Sequence, residues 1–411
     1  MSKQAMQINR GIIQQTLLVL YFLLSYSKVQ GEIKLSEVED QELERQLKLL
    51  NKPAIKTIKT KYGDIYNCVD FYKQPAFDHP SLKKHNFHPK MKPILPRIRQ
   101  TSGTSTTNKS STIWLNGRGC SSGSVPIKRV TKDDLIRQRL MPPPEDIAFH
   151  NQFPTSSNNH SELKRRFLSA QGYKVAIVST LNSWDNKFRG ARMVPTLWKP
   201  YVEGQQHSGC RLKVQRKSDI IQVGWRVDPT LYGDDKTRMF IHLQTVKTHC
   251  FNTLCPGFIL VNTEIPIEAP FNKVSHRGDV NNIWEYPMSI FRDPVGNWWV
   301  LVDETNESLG FWPKHIFTDL ASFAMNVEWG GVAYSPPGIV HEPPMGSSFF
   351  PVKRVDYDGS CQRITVFNYK GETMDLKTIS HTDNSRLYKV FDVSNGANEH
   401  TVFYGGPGGT T

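Results

Sequence analysis

Beyond Gly172 the chain is written in short runs of branched and aromatic residues, and this period narrows the possible folds more than anything else in it. Val175–Val178, Met239–Leu243, Trp298–Asp303, Phe349–Val355, Ile364–Phe367 and Thr401–Tyr404 read as strands separated by Asp, Gly, Asn and Pro turns. Pro294-Val-Gly-Asn297, between Ser289–Phe291 and Trp298–Val300, predicts a hairpin. Helix is sparse: only Pro313–Phe323 combines a first-turn proline with apolar residues at Ile316, Phe317, Leu320 and Phe323. Many strands and one short helix predict an all-β fold, an antiparallel β-sandwich of two stacked sheets, in a segment long enough to bury a sizeable core.

The amino-terminal half is composed differently. Lys3 and Arg10 precede an apolar run from Thr16 to Leu24, and small Gly31 follows, which is the layout of a signal peptide over residues 1–31. That run is too short to span a bilayer stably, and nothing later is longer, so the product is expected to be secreted, or held in a cell wall or vacuole. Residues 32–53 suit a short amphipathic helix, and 54–100 an extended, proline-punctuated segment. Thr101–Ser111 lacks apolar anchors and reads as a loop, Val125–Val130 begins an ordered run, and 151–164 reads as an exposed hinge leading to the basic triplet at 164–166. The domain reading is 1–31, 32–167 and 168–411.

All six cysteines follow Gly31, and an oxidising compartment allows them to pair. Cys250 with Cys255 across a tight turn and Cys68 with Cys120 leave Cys210 with Cys361 by elimination. Their spacing excludes a zinc ribbon. Three sequons, at Asn108, Asn159 and Asn306, are glycan acceptors where exposed. The formal net charge is +13, and a basic surface favours polyanions, for an exported protein wall polyanions before nucleic acid.

Two stretches carry the chemistry: Ile221–Asp234, with Gln222-Val-Gly-Trp225 at its start, and Val327-Glu-Trp-Gly-Gly-Val332. With Cys68–Lys84, Gly119-Cys120, Gly123–Arg129, Cys250–Phe258, Gly296–Trp299, Gly310–Pro313 and Tyr404–Pro407, the chain resembles the plant neprosin family. The resemblance covers nearly everything after about residue 58. It implies a mixed activation-peptide (pro) domain over 32–167 that blocks, in cis, a cleft in a glutamic prolyl-endopeptidase β-sandwich over 168–411. It also implies maturation at acidic pH.

A glutamic peptidase needs two carboxyl groups facing one water, one ionised to take its proton and one protonated to donate. In the family motif one glutamate stands two residues before Gly-Trp, where this chain has Gln222, and the other follows Trp-Gly-Gly, where it has Val332. An amide hydrogen-bonds but does not titrate in the working range, and valine does neither. Glu328 is the one rescue candidate, yet in a regular strand it lies about 13 Å from position 332 along the ribbon, far beyond proton-transfer reach.

The residues that remain describe a binding cleft. Trp225, Tyr232, Trp298, Trp299, Trp312 and Trp329 offer flat faces for proline rings or sugars, and Gly330 and Gly331 permit a bulge or a close approach by ligand backbone. Each aromatic also has a plain reading as core. No serine-nucleophile elbow is present, and His150, His160, His207 and His249 are scattered without metal-binding spacing, so neither metal nor cofactor is expected. The expectation is a monomeric, non-catalytic neprosin-like protein that binds proline-containing peptides or wall polymers. The competing expectation is a secreted glutamic endopeptidase that cuts after proline and is made as a zymogen.

Overall fold

A computed structural model describes residues 36–94, 109–110, 119–143, 171–246, 248–394 and 400–410. The signal-peptide reading, the sequons Asn108 and Asn159, the hinge and the basic triplet lie outside the described residues. Two compact units divide after Gln46. Helix α1, Glu37–Leu50, opens with Glu37, Glu39 and Asp40 and has Lys48 in its last turn, charges placed to suit the helix dipole.

The amino-terminal part of the larger unit is a three-stranded antiparallel sheet, β1 (Ala54–Lys59), β2 (Ile65–Asp70) and β3 (Ser124–Lys128), in the order β1-β2-β3. Between β2 and β3 the expected proline-punctuated segment forms three short 3-10 turns over 71–82. A disulfide joins Cys68 to Cys120. Helix α2, Lys132–Gln138, follows, with Thr131 and Asp134 forming a capping box.

Two large antiparallel sheets make the remainder. Their strands in chain order are β4 (Tyr173–Thr180), β5 (Gly190–Pro195), β6 (His207–Arg216), β7 (Asp219–Val227), β8 (Arg238–Gln244), β9 (His249–Phe251), β10 (Ile259–Leu260), β11 (Met288–Arg292), β12 (Trp298–Val302), β13 (Glu307–Trp312), β14 (Asn326–Tyr334), β15 (Gly359–Phe367), β16 (Thr378–Thr382), β17 (Lys389–Ser394) and β18 (His400–Gly405). The seven-stranded sheet runs β9-β8-β7-β6-β14-β4-β16, and the eight-stranded sheet runs β10-β13-β12-β11-β5-β15-β18-β17. The stacked antiparallel sandwich is therefore present, and the β11/β12 hairpin forms around the predicted turn.

Alternation builds the core. Ile221, Val223 and Trp225 of β7, Cys210, Leu212 and Val214 of β6, and Val327, Trp329 and Ala333 of β14 all belong to the buried cluster between the sheets. The tryptophans expected to face ligand sit in this interior. Their indole N–H groups are taken: Trp225 donates to the Thr196 carbonyl at 3.0 Å, Trp329 to that of Arg192 at 3.1 Å, Trp298 to that of Leu320 at 2.6 Å and Trp299 to Asp293 at 2.8 Å. Trp312 is equally enclosed, against Phe258. A buried indole with its one donor satisfied has no reason to turn outward. Tyr232 is likewise buried, in a short helix α3 (Pro229–Tyr232), with Arg238 over its ring.

Gly331 faces the core, where any side chain would collide with Met345 and Tyr404. Gly330 adopts a φ of 133°, a conformation glycine reaches readily. Gly331 thus serves packing, while Gly330 lies on the opposite face of its strand. Cys250 and Cys255 are bonded, and the sulfurs of buried Cys210 and Cys361 lie 3.0 Å apart between the sheets, at the place of the third expected pairing.

Two predicted elements do not form. In place of a helix over 313–323 there is one 3-10 turn, Lys314–Ile316. The reason lies in Asp219: the N–H groups of Thr318, Asp319 and Leu320 all donate to its Oδ2, at 2.9, 2.6 and 3.0 Å, and are lost to helical bonding. The 349–355 segment is a loop because Asp358 accepts from the N–H groups of Val352 and Arg354, groups a strand would need for its ladder. Asp219→Ala is expected to lower unfolding stability by about 3 kcal/mol, since three inward N–H groups lose their acceptor; a urea titration measures it.

Candidate functional site

The same alternation that fills the core also fixes the outer face of the seven-stranded sheet. On β7, Gln222, Gly224 and Arg226 point away from the core. Their cross-strand partners on β6 are Lys213, Arg211 and Gly209, and the next partners on β14 are Glu328, Gly330 and Val332. On the other side of β7, His242 and Phe240 of β8 stand opposite Gln222 and Gly224. A cavity on this face is lined by Tyr173, His207, Gln222, Arg226, Phe240, His242, His249, Phe251 and Val332. Gln222 and Val332, four positions out of step on strands separated by β6, thus line one cavity.

Glu328 does not replace them. β14 keeps unbroken register with both neighbours from Glu328 to Tyr334, so no bulge brings the carboxylate forward. Its oxygens lie 3.3 Å from an Arg211 nitrogen and 3.4 Å from Lys213 Nζ, and it does not line the cavity. A buried acid beside the cavity-lining Arg226 is Asp228, which pairs with that arginine at 2.6 Å and accepts from the Leu231 N–H at the start of α3. Burial pushes its carboxyl up against the opposing pull of Arg226. Its work is to cap α3 and balance Arg226, and among the described residues no carboxylate lines the cavity.

Histidines that look scattered along the chain converge here. The His242 ring lies 4.8 Å from that of His249 and 4.4 Å from Phe251, and His207 stacks on Tyr334 at 5.2 Å. Burial holds His242 well below the usual histidine range, and His249, Arg226, Arg211 and Lys213 all push it further down. His249 is lowered to about 4 by burial and then by Arg226, and His207 is lowered by the same two causes. Neutral imidazoles in a field of cations are the outcome. Neither ring nitrogen of His242 has a hydrogen-bond partner, although the residue is only 3% exposed.

No motif marks Arg226, yet it stands four residues after Gln222, and a strand period of two places both on one face. Phe240, Phe251, Tyr173 and His242 carry no comparable signal, because strand pairing alone makes them neighbours. The guanidinium of Arg226 sits 4.7 Å over the Phe251 ring and 5.5 Å over Phe240. The third sequon, Asn306, is half-buried in the turn between β12 and β13, at a φ of 57°. No group of three metal-binding side chains occurs among the described residues.

Sequence-family comparison fits this geometry. The Neprosin model matches residues 204–407, and the Neprosin activation peptide model matches 57–179. The chain belongs to the neprosin family. Among solved structures, Scytalido-glutamic peptidase with a peptide-based transition-state analogue is 11% identical, over 57% of this chain and 97% of that one, with a TM-score of 0.31. SCP-B, a member of the eqolisin family of peptidases in complex with the tripeptide Ala-Ile-His, is 10% identical over 57% and 96%, with a TM-score of 0.30.

In this neprosin-family chain the amino-terminal part packs directly on the sandwich. Gln74 donates to the Leu260 carbonyl at 3.2 Å and accepts from the Leu260 N–H at 2.8 Å. Arg238, fully buried, pairs with Asp64 at 3.0 Å and Asp234 at 2.6 Å, while Lys128 pairs with buried Glu268 at 3.3 Å.

The lowered histidines give stability a defined pH slope. Between the ordinary value of 6.5 and about 4, an unfolded chain binds a proton that folded His249 refuses, so stability falls as pH drops through that window. His207 and His242 act with the same sign. Urea denaturation across the window is expected to show a shallower decline for His249→Gln than for the parent chain.

Proposed function

We propose that this chain is a secreted, non-catalytic neprosin-family protein that binds proline-containing peptides in the outer cleft of its seven-stranded sheet. The observation that carries the reading is the pairing of Gln222 and Val332 in one cavity whose described lining holds no carboxylate. Neither side chain activates water, and Glu328 is engaged by two cations. The rings of Tyr173, Phe240 and Phe251 supply the flat apolar surface that a pyrrolidine ring packs against. Export is supported by the Thr16–Leu24 run and by the two bonded cysteine pairs, which persist in an oxidising compartment.

Family membership favours one competing reading, an endopeptidase with relocated acids that cuts after proline. The deciding measurement incubates the purified chain at about pH 4, where one carboxyl of a pair is charged and the other protonated, with a fluorogenic peptide containing proline. Intact peptide, retained by the protein, is the expected result. Turnover that disappears in Glu328→Gln would establish the peptidase instead.

A further inference from the structure

We infer that the cavity is a carboxylate site, which holds the free C-terminal carboxylate of a bound peptide on Arg226, His242 and Gln222, so that the protein recognises peptide ends. The inference rests on the proposed peptide-binding reading and names the group that is recognised. Three observations carry it.

First, the cavity presents buried donors without acceptors, the Arg226 Nε–H and the one N–H of the neutral His242 imidazole. Arg226 is 6% exposed and its Nε has no hydrogen-bond partner; His242 is 3% exposed and both ring nitrogens lack one. Buried polar groups of this kind are normally satisfied, and an unmet donor in a cavity wall points to a ligand acceptor. Second, cations outnumber acids around the cavity: Arg226, Arg211 and Lys213 stand against Asp228 and Glu328. Arg226, Arg211 and Lys213 all bear on His242 with positive potential, while the two positions where the family motif places glutamate are neutral. An anion entering there meets attraction from fixed cations and repulsion from no carboxylate in the described lining. Third, the space is small. Its enclosed part has room for a group of about carboxylate size beside Val332, which suits a chain terminus.

The test compares a fluorescent tripeptide ending in proline with a free carboxylate against the same peptide as its C-terminal amide. Binding is followed by polarisation on the full secreted chain, before and after incubation at about pH 4. The acid is expected to bind at least about tenfold more tightly, the scale of one charge-assisted contact. His242→Phe, which keeps the ring packing against Phe251, and the double variant Arg226→Gln/Asp228→Asn, which leaves no buried acid unpaired, are each expected to erase that preference. Equal binding of acid and amide, or a preference that survives in folded forms of both variants, overturns the carboxylate site and leaves peptide binding standing. Binding of neither peptide, in either form of the protein, overturns both.

Discussion

Period-two alternation through three adjacent strands, β6, β7 and β14, is the constraint on which the rest depends. Every second residue is committed to the interior between the sheets, so the intervening ones have no choice but to form the outer face. A one-residue slip of β7 would carry Trp225 into the cleft and Arg226 into the core. The core aromatics therefore protect the cleft by fixing register. The indole donors of Trp329 and Trp225, bonded to the carbonyls of Arg192 in β5 and of Thr196 just after it, tie that register to the opposite sheet.

Much of this was legible in the sequence, for reasons that can be traced. The sandwich follows from branched and aromatic runs punctuated by turns, and the two motifs that contain Gln222 and Val332 come together at one cavity. The ligand-facing role expected of the tryptophans fails because hydrophobicity marks burial without saying which of two faces is meant. Pairing with the eight-stranded sheet decides that, and pairing is non-local. The expected helix after Pro313 fails for a different reason. Its apolar spacing is genuine, but Asp219, about a hundred residues earlier in the chain, captures the N–H groups the helix needs. The histidine group was invisible because His207, His242 and His249 come from three strands, and only their pairing makes them neighbours.

Three cations, Arg226, Arg211 and Lys213, stand around the cleft against two buried acids, Glu328 and Asp228. Glu328 is drawn to Arg211 and Lys213, and Asp228 to Arg226. Both carboxylates are thereby spent on structure, and the imidazoles around them are held neutral by burial and by the surrounding positive charge. Burial is thus the first cause of the lowered histidine basicity, and the nearby cations add to it.

Gln74 has a consequence of its own. With one amide group it closes the donor and the acceptor of Leu260, at the border of the eight-stranded sheet, as a neighbouring strand would. Should the amino-terminal part ever be cut away, that border becomes an open template for another extended chain, and Glu268 loses the ammonium of Lys128 in the same event. Separation would then produce an adhesive rim on the sandwich, so the shed segment doubles as a guard against self-association.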